Sequence, residues 1–202
     1  MKIRTWTDRI TDESNLWLNA TKMEDAQNFL DASVFYLKDT VDCLKRSLLV
    51  RAALSCLCAA DCLAKGGNMQ EARNLYLEAA SIYEENSDRI IGKSVRESLW
   101  SLQEAYECFL FASDYYRAQH IFEKYTSLAR KINPFFGEGE AIENLRQRKN
   151  SVEKITLHSS PSSLKVSSEI HDAIRHLMDI RRTSFKNQDS NKQVRDKKDQ
   201  NG

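Results

Sequence analysis

The stretch Lys65-Gly66-Gly67-Asn68-Met69-Gln70-Glu71-Ala72 decides the fold that we predict, because it marks a tight turn between two helices. Gly66 and Gly67 end the preceding apolar run, since glycine adopts the left-handed conformation that closes a helix. Asn68 is a typical N-cap, and Glu71 follows it at the spacing of a capping box. The next run keeps its apolar side chains on one face at helical spacing: Ala72, Leu75, Tyr76, Ala79, Ala80 and Tyr83. The stretch therefore predicts a helical hairpin.

Composition favours helices and a location inside the cell. The 202 residues include only two prolines and six glycines, and the formal net charge of +1 gives no field that would attract nucleic acid. The N-terminus has no apolar signal region, and the most apolar run is interrupted by Arg51 and Asp61. Five cysteines, an odd number, are typical of reduced thiols. We therefore predict a cytoplasmic protein without a membrane span.

An internal repeat extends the hairpin in both directions. Three segments align at an offset of 46 residues on Ala26, Ala72 and Ala118. Each unit is predicted to contain two antiparallel helices, over residues 8–20 and 22–39, 45–66 and 69–86, and 92–113 and 115–132. Such hairpins bury their apolar faces only by stacking on one another. The repeat predicts an all-α array in which each aligned alanine allows a close helix crossing.

The second unit carries a resemblance to known helical repeats. Ala72-x-x-x-Tyr76-x-x-Ala79 resembles the second helix of a tetratricopeptide repeat. Leu75-Tyr76-x-x-Ala79-Ala80-x-x-Tyr83 and the long period are similar to the hairpins of the soluble N-ethylmaleimide-sensitive-factor attachment proteins. The similarity covers roughly residues 12–132, although the period differs from the 34 residues of tetratricopeptide repeats. It implies a right-handed superhelix of stacked antiparallel hairpins that serves as a protein-binding scaffold.

Breaks in the pattern divide the chain. Asn133-Pro134 stops the array, because proline disfavours helix in the residue before it. A serine- and proline-rich stretch follows further on, and the last twenty residues are polar and charged. We predict a repeat array over 1–135, a capping helix over 136–157, a linker over 158–166, an amphipathic helix over 167–182 and a disordered basic tail over 183–202.

The amphipathic helix needs a surface to cover its apolar side. Its stripe consists of Ile170, Ala173, Ile174, Leu177 and Met178. A helix of this length is marginal alone in water, so we expect it to dock on its own array, on a second copy of the chain or on a partner. We favour a reversible dock on the array, with Arg175, Arg181 and Arg182 facing solvent or an acidic rim. Self-association through this helix stays open.

No residue pattern indicates catalysis. The chain has no Ser/His/acid set, glycine-rich phosphate loop or carboxylate pair at a spacing that chemistry requires. Cys56, Cys58 and Cys62 lack C-x-x-C spacing and a nearby histidine, which favours a packing role over a metal or redox role. We therefore predict a protein that is not an enzyme and that uses no cofactor or metal.

A protein or peptide partner is the predicted ligand. In helical arrays the first helices usually present the binding face. The candidate binding residues there are Asp61, Lys65, Trp100, Gln103, Glu107 and Phe111. Trp100 and Phe111 stand out because aromatic side chains beside polar groups form binding hot spots; the alternative is that both pack against the capping helix.

The alternative function is regulatory nucleic-acid binding through the C-terminal region. Leu164-Lys165-Val166 followed by a helix resembles the opening of a ribbon-helix-helix module, a family whose strands read the major groove as a dimer. Only Lys165 would be available for that contact, and the basic tail would supply charge. We therefore prefer the protein-binding function.

Overall fold

The computed structural model describes residues 15–132, residues 143, 145–147 and 149–150, and residues 167–199, with the backbone alone given from 184 onward. Within these ranges the regular secondary structure is entirely α-helical, which confirms the predicted all-α class. The helices that have defined bounds are α1 (Leu16–Asp25), α2 (Phe29–Lys45), α3 (Leu49–Lys65), α4 (Met69–Ile90), α5 (Val95–Phe111), α6 (Tyr115–Ile132) and α7 (Ser168–Asp199).

Helices α1 to α6 form an array in which each helix packs on the next one along the chain. Ion pairs also join alternate helices. Lys65 of α3 contacts Glu24 of α1 at 2.7 Å, and Lys124 of α6 contacts Glu84 and Asp88 of α4 at 2.9 Å and 2.8 Å. Odd-numbered and even-numbered helices therefore lie on opposite sides of the array. Helix α7 packs on the even-numbered side, against α2 and α4.

Four of the turns in the array share the same backbone conformation. The residue with positive φ in each turn is Gln27, Ser47, Gly67 or Ser113. The following residue donates its N–H to the carbonyl five positions back, as Asn68 does to Leu63 over 2.8 Å. The left-handed turn predicted at Gly66-Gly67 is confirmed at Gly67, and α3 ends at Lys65, but the predicted capping box is absent. The Asn68 side chain makes no capping bond and donates instead to the Gly66 carbonyl at 3.1 Å.

A small, fully buried residue occupies the fourth position of every helix from α2 to α6. These residues are Ala32, Ala52, Ala72, Ser98 and Ala118. A short side chain at this buried position allows the backbones of packed helices to approach closely. The structure therefore repeats at the level of the single helix.

The predicted alignment of the first hairpin was wrong by six residues. Ala26 lies at the C-terminus of α1 and is exposed, whereas the counterpart of Ala72 and Ala118 is Ala32. The predicted helix boundary near residue 21 falls inside α1, and residues 8–14 lie outside the described residues. The error arose because Gln27, unlike Gly67, gives no sequence signal for a left-handed turn. The later hairpins lie close to their predicted bounds.

The C-terminal segments are described in part. The described residues between 143 and 150 are helical, and Leu145 among them is buried; the rest of the predicted capping helix and the whole linker lie outside the described residues. Helix α7 begins at Ser168 and continues to Asp199, past the end predicted at residue 182 and through most of the segment that was predicted as a disordered tail. Its second half contains no proline or glycine that would stop a helix started by the docked first half.

Candidate partner-binding surfaces

Four of the six predicted binding residues form one group at the contact between Tyr76 and Asp61. Tyr76 of α4 donates a 2.6 Å hydrogen bond to Oδ1 of Asp61 on α3. The ring of Phe111 on α5 stacks on the Tyr76 ring, with 5.1 Å between centroids. The charge of Lys65 lowers the pKa of Asp61 and that of Glu107 raises it, so both side chains belong to the same neighbourhood. The array thus brings the C-terminal ends of α3 and α5 together around α4.

Burial determines the electrostatics of this group. It raises the pKa of Asp61, and the Tyr76 hydrogen bond and the Lys65 charge oppose the increase only in part. Burial and the Asp61 charge also raise the pKa of Tyr76, so its phenol stays a donor at neutral pH. Lys65 is held by Glu24 at 2.7 Å and lies over the Phe29 ring at 5.7 Å from its centroid. These residues serve packing between helices as well as any contact with a partner.

Trp100 and Gln103 lie apart from that group. Trp100 is 40% exposed and meets Tyr83 of α4 edge to face, with 5.7 Å between centroids. Gln103 donates through Nε2 to the Tyr125 hydroxyl of α6 at 2.8 Å. The rings of Trp100 and Phe111 therefore both pack against α4. Trp100 keeps the larger free surface, so it remains the stronger of the two as a contact residue.

A second surface, which the sequence did not single out as a binding site, already holds a helix. We call it the α2–α4 face and define it by Lys38 of α2 and by Glu78, Ser81 and Glu85 of α4. Helix α7 covers this face. The pattern that could have identified it is the spacing of Glu78, Ser81 and Glu85 at i, i+3 and i+7, which places three polar side chains on one side of α4.

Helix α7 contacts the α2–α4 face through apolar and charged groups. Ile170 and Leu177 are fully buried in the core that the array forms. At the N-terminal end of α7, Glu169 accepts from Lys38 Nζ at 3.1 Å. Further along, the side chain of Arg181 is only 4% exposed. The apolar stripe predicted for this helix therefore has a covering surface within its own chain.

Arg181 is held by three side chains of α4. Its Nη1 donates to Glu85 Oε2 at 2.6 Å, its Nε to Glu78 Oε2 at 3.4 Å and its Nη2 to Ser81 Oγ at 3.1 Å. The predicted acidic rim is therefore present for this arginine. Arg175 and Arg182 instead stay exposed and pair within α7 with the aspartates three residues before them.

Other buried polar groups join helices inside the array. Asp39 of α2 accepts from Arg51 at 3.2 Å and 3.3 Å and from the Ser55 hydroxyl of α3 at 2.5 Å. Two similar contacts join α4 to α5: Asn86 Nδ2 donates to Ser101 Oγ at 2.9 Å, and the hydroxyls of Ser87 and Ser98 lie 2.6 Å apart. Each of these groups is satisfied by a neighbouring helix, which fixes the register between helices.

The cysteines lie in the packed interior. Cys43, Cys56, Cys62 and Cys108 are buried, and Cys58 is half-buried. Burial raises the pKa of the Cys58 and Cys62 thiols to about 12, so they remain protonated at neutral pH. Among the residues whose placement is described, no three His, Cys, Asp or Glu side chains are grouped so that they could hold a metal ion.

Comparison with protein-family models, curated protein sequences and solved structures gives no match for this chain. Support for the candidate binding surfaces therefore comes from the geometry of this chain alone. None of the helices in the described part of the chain combines the length and apolar character needed to cross a bilayer. Residues 164–166, which carry the resemblance to a ribbon-helix-helix strand, lie outside the described residues.

Proposed function

We propose that this chain is a non-catalytic scaffold or adaptor of the cytoplasm whose helical array binds a helix of a partner protein. In this proposal the stacked hairpins form a right-handed superhelix similar to those of tetratricopeptide and attachment-protein arrays. The first half of α7 acts as an amphipathic helix that docks on the superhelix. The observation that carries the proposal is that the α2–α4 face already holds a helix of suitable polarity, through Ile170, Leu177 and Arg181.

Competition explains how one face can serve both α7 and a partner. Helix α7 belongs to the same chain, so its effective concentration at the face is high and a partner helix must displace it. Displacement exposes only the apolar stripe of one helix and leaves the consecutive packing of α1 to α6 intact. The predicted contact residues on the opposite side, Trp100 above all, would then serve a further contact with the partner.

The test uses the full chain and a synthetic peptide. The probe is a fluorescein-labelled peptide of residues 167–183, and the receptor is the full-length Leu177→Asp variant, in which a buried charge expels α7 from the face. We expect saturable binding to this variant, measured by fluorescence anisotropy, and at least about tenfold weaker binding to the wild-type chain, whose own helix occupies the face.

Controls separate binding from misfolding. Circular dichroism and cooperative thermal unfolding must show that the Leu177→Asp chain is folded, and Ile170→Asp provides a second variant that undocks the helix. The exposed neighbour His176 supplies the matched control, since His176→Asp adds a charge without burying it. If the peptide binds neither folded variant, the proposed function is overturned. Dimerisation of the variants on sedimentation would show instead that the face accepts a second copy of this chain.

A further inference from the structure

We infer that Glu78, Ser81 and Glu85 form an arginine-recognition pocket, and that the partner helix accepted by the α2–α4 face carries an arginine four residues after a buried leucine. This inference rests on the proposed function and specifies the chemistry of the partner. The evidence is the shape of the pocket in its occupied state. The guanidinium of Arg181 places one donor on each of the three side chains, and its side chain is almost fully removed from solvent.

Charge and geometry select arginine over lysine. Two carboxylates face one cation, and Arg89 also pairs with Glu85 from within α4. A guanidinium is planar and can donate to several acceptors at fixed angles, whereas an ammonium is a compact, strongly hydrated charge that loses more solvation on burial. Lysine in the same position would satisfy fewer of the three acceptors. A neutral residue would remove the Arg181 charge from both glutamates, and Glu85 would keep its pair with Arg89.

The apolar contacts fix where the arginine must stand. Ile170 and Leu177 are fully buried seven residues apart, which corresponds to two helical turns, and Arg181 follows one turn later. The three side chains therefore lie along one stripe of the bound helix. A partner helix that has the apolar pair but no arginine at this position would cover the same area and leave the pocket unfilled. The pocket thus supplies specificity to a face that apolar contacts alone would leave permissive.

The experiment compares peptides on the undocked full-length Leu177→Asp chain. The peptides of residues 167–183 carry the wild-type sequence, Arg181→Lys, Arg181→citrulline or, as the matched control, Arg175→Lys. Citrulline keeps the planar shape of arginine and removes its charge. We expect the two changes at residue 181 to weaken binding at least about tenfold, and the change at exposed Arg175 to alter it less than about twofold.

A reciprocal change on the array completes the test. With Glu85→Gln added to the chain, the wild-type peptide should lose affinity, and the further loss caused by Arg181→Lys should shrink, since the two groups are coupled. If all four peptides bind equally well, helix binding stands and arginine recognition is overturned. If none binds, the proposed function itself fails. If Arg181→citrulline weakens binding but Arg181→Lys does not, the face responds to positive charge alone and arginine recognition is overturned. An equal loss for Arg175→Lys and Arg181→Lys would show that the pocket is not the source of the preference, and would also overturn the inference.

Discussion

The hydroxyl of Tyr76 donates a 2.6 Å hydrogen bond to Oδ1 of Asp61 and so joins α4 to α3. Tyr83, seven residues later on α4, is buried as well, but its hydroxyl has no hydrogen-bond partner among the described residues. The same helix thus contains two buried phenols, one satisfied and one not. Replacing each tyrosine by phenylalanine therefore separates the contribution of a hydrogen bond to stability from that of an aromatic ring in the core.

Tyr76→Phe should destabilise the fold. The change keeps the ring and its stacking on Phe111 but removes the donor to a partly buried carboxylate. A hydrogen bond to a charged group contributes about 1.5–3 kcal/mol, and we expect a loss in that range. Urea denaturation at neutral pH, followed by circular dichroism, measures it. A loss below about 0.5 kcal/mol, the usual scale of surface changes, would contradict the importance of this bond.

Tyr83→Phe should leave the free energy of unfolding unchanged or raise it by up to about 1 kcal/mol. The hydroxyl of Tyr83 loses its hydration on folding and gains no partner among the described residues, so its removal relieves a cost. The edge-to-face contact with Trp100 is kept. Urea denaturation followed by circular dichroism measures this change in unfolding free energy as well. A destabilisation as large as that of Tyr76→Phe would show that the Tyr83 hydroxyl does have a partner.

The stability of the Asp61→Asn variant, relative to that of the wild type, should increase as the pH rises. Burial raises the pKa of Asp61 in the folded state, so folding favours its protonated form. The resulting stabilisation is fully present below the unfolded-state pKa and is lost as the pH rises through the raised folded-state pKa. Asparagine keeps an acceptor for Tyr76 and does not ionise. Unfolding free energies of both proteins at about pH 3 and about pH 7 test this; a difference that is the same at both pH values would contradict it.

Asp39→Ala should be among the more damaging substitutions in the array. Asp39 is 5% exposed and accepts hydrogen bonds from Arg51 and Ser55 of the next helix. Because Arg51 is half-exposed, we expect the unfolding free energy to fall by about 2–4 kcal/mol, which is below the largest loss seen when a fully buried ion pair is broken. Asp42→Ala is the matched control, since its pair with Arg46 is exposed and should contribute less than about 1 kcal/mol. Similar losses for both variants would exclude a special role for Asp39.

Ala32→Glu and Ala26→Glu test the corrected register of the first hairpin. Ala32 is fully buried near the start of α2, so a glutamate there should cost about 3–5 kcal/mol of unfolding free energy, as an unpaired buried charge does. Ala26 lies in an exposed turn, so the same change should stay within about 0.5 kcal/mol. Thermal unfolding of both variants measures the difference. A larger loss of stability for Ala26→Glu than for Ala32→Glu would instead support the alignment on Ala26.

Local sequence determined the helical class and most helix bounds. Helical periodicity predicted α6 over 115–132, and the structure has Tyr115–Ile132. The start of α4 at Met69 and the left-handed turn at Gly67 were equally readable, because glycine has a strong preference of its own. Gln27 has no such preference, so its positive φ leaves no local signal in the sequence. That is why the first hairpin was predicted in the wrong register.

The sequence by itself thus determined most of the helical segments, because hydrogen bonds within a helix and its apolar stripe depend on residues a few positions apart. It did not predict that α7 continues past residue 182. Only the tertiary structure decided what those stripes contact. Arg181 and Glu85 are 96 residues apart, and no local pattern couples them. They meet because α4 presents Glu78, Ser81 and Glu85 beside the apolar surface that covers Ile170 and Leu177. A binding surface assembled from distant helices follows from the packing of the array, which local periodicity does not encode.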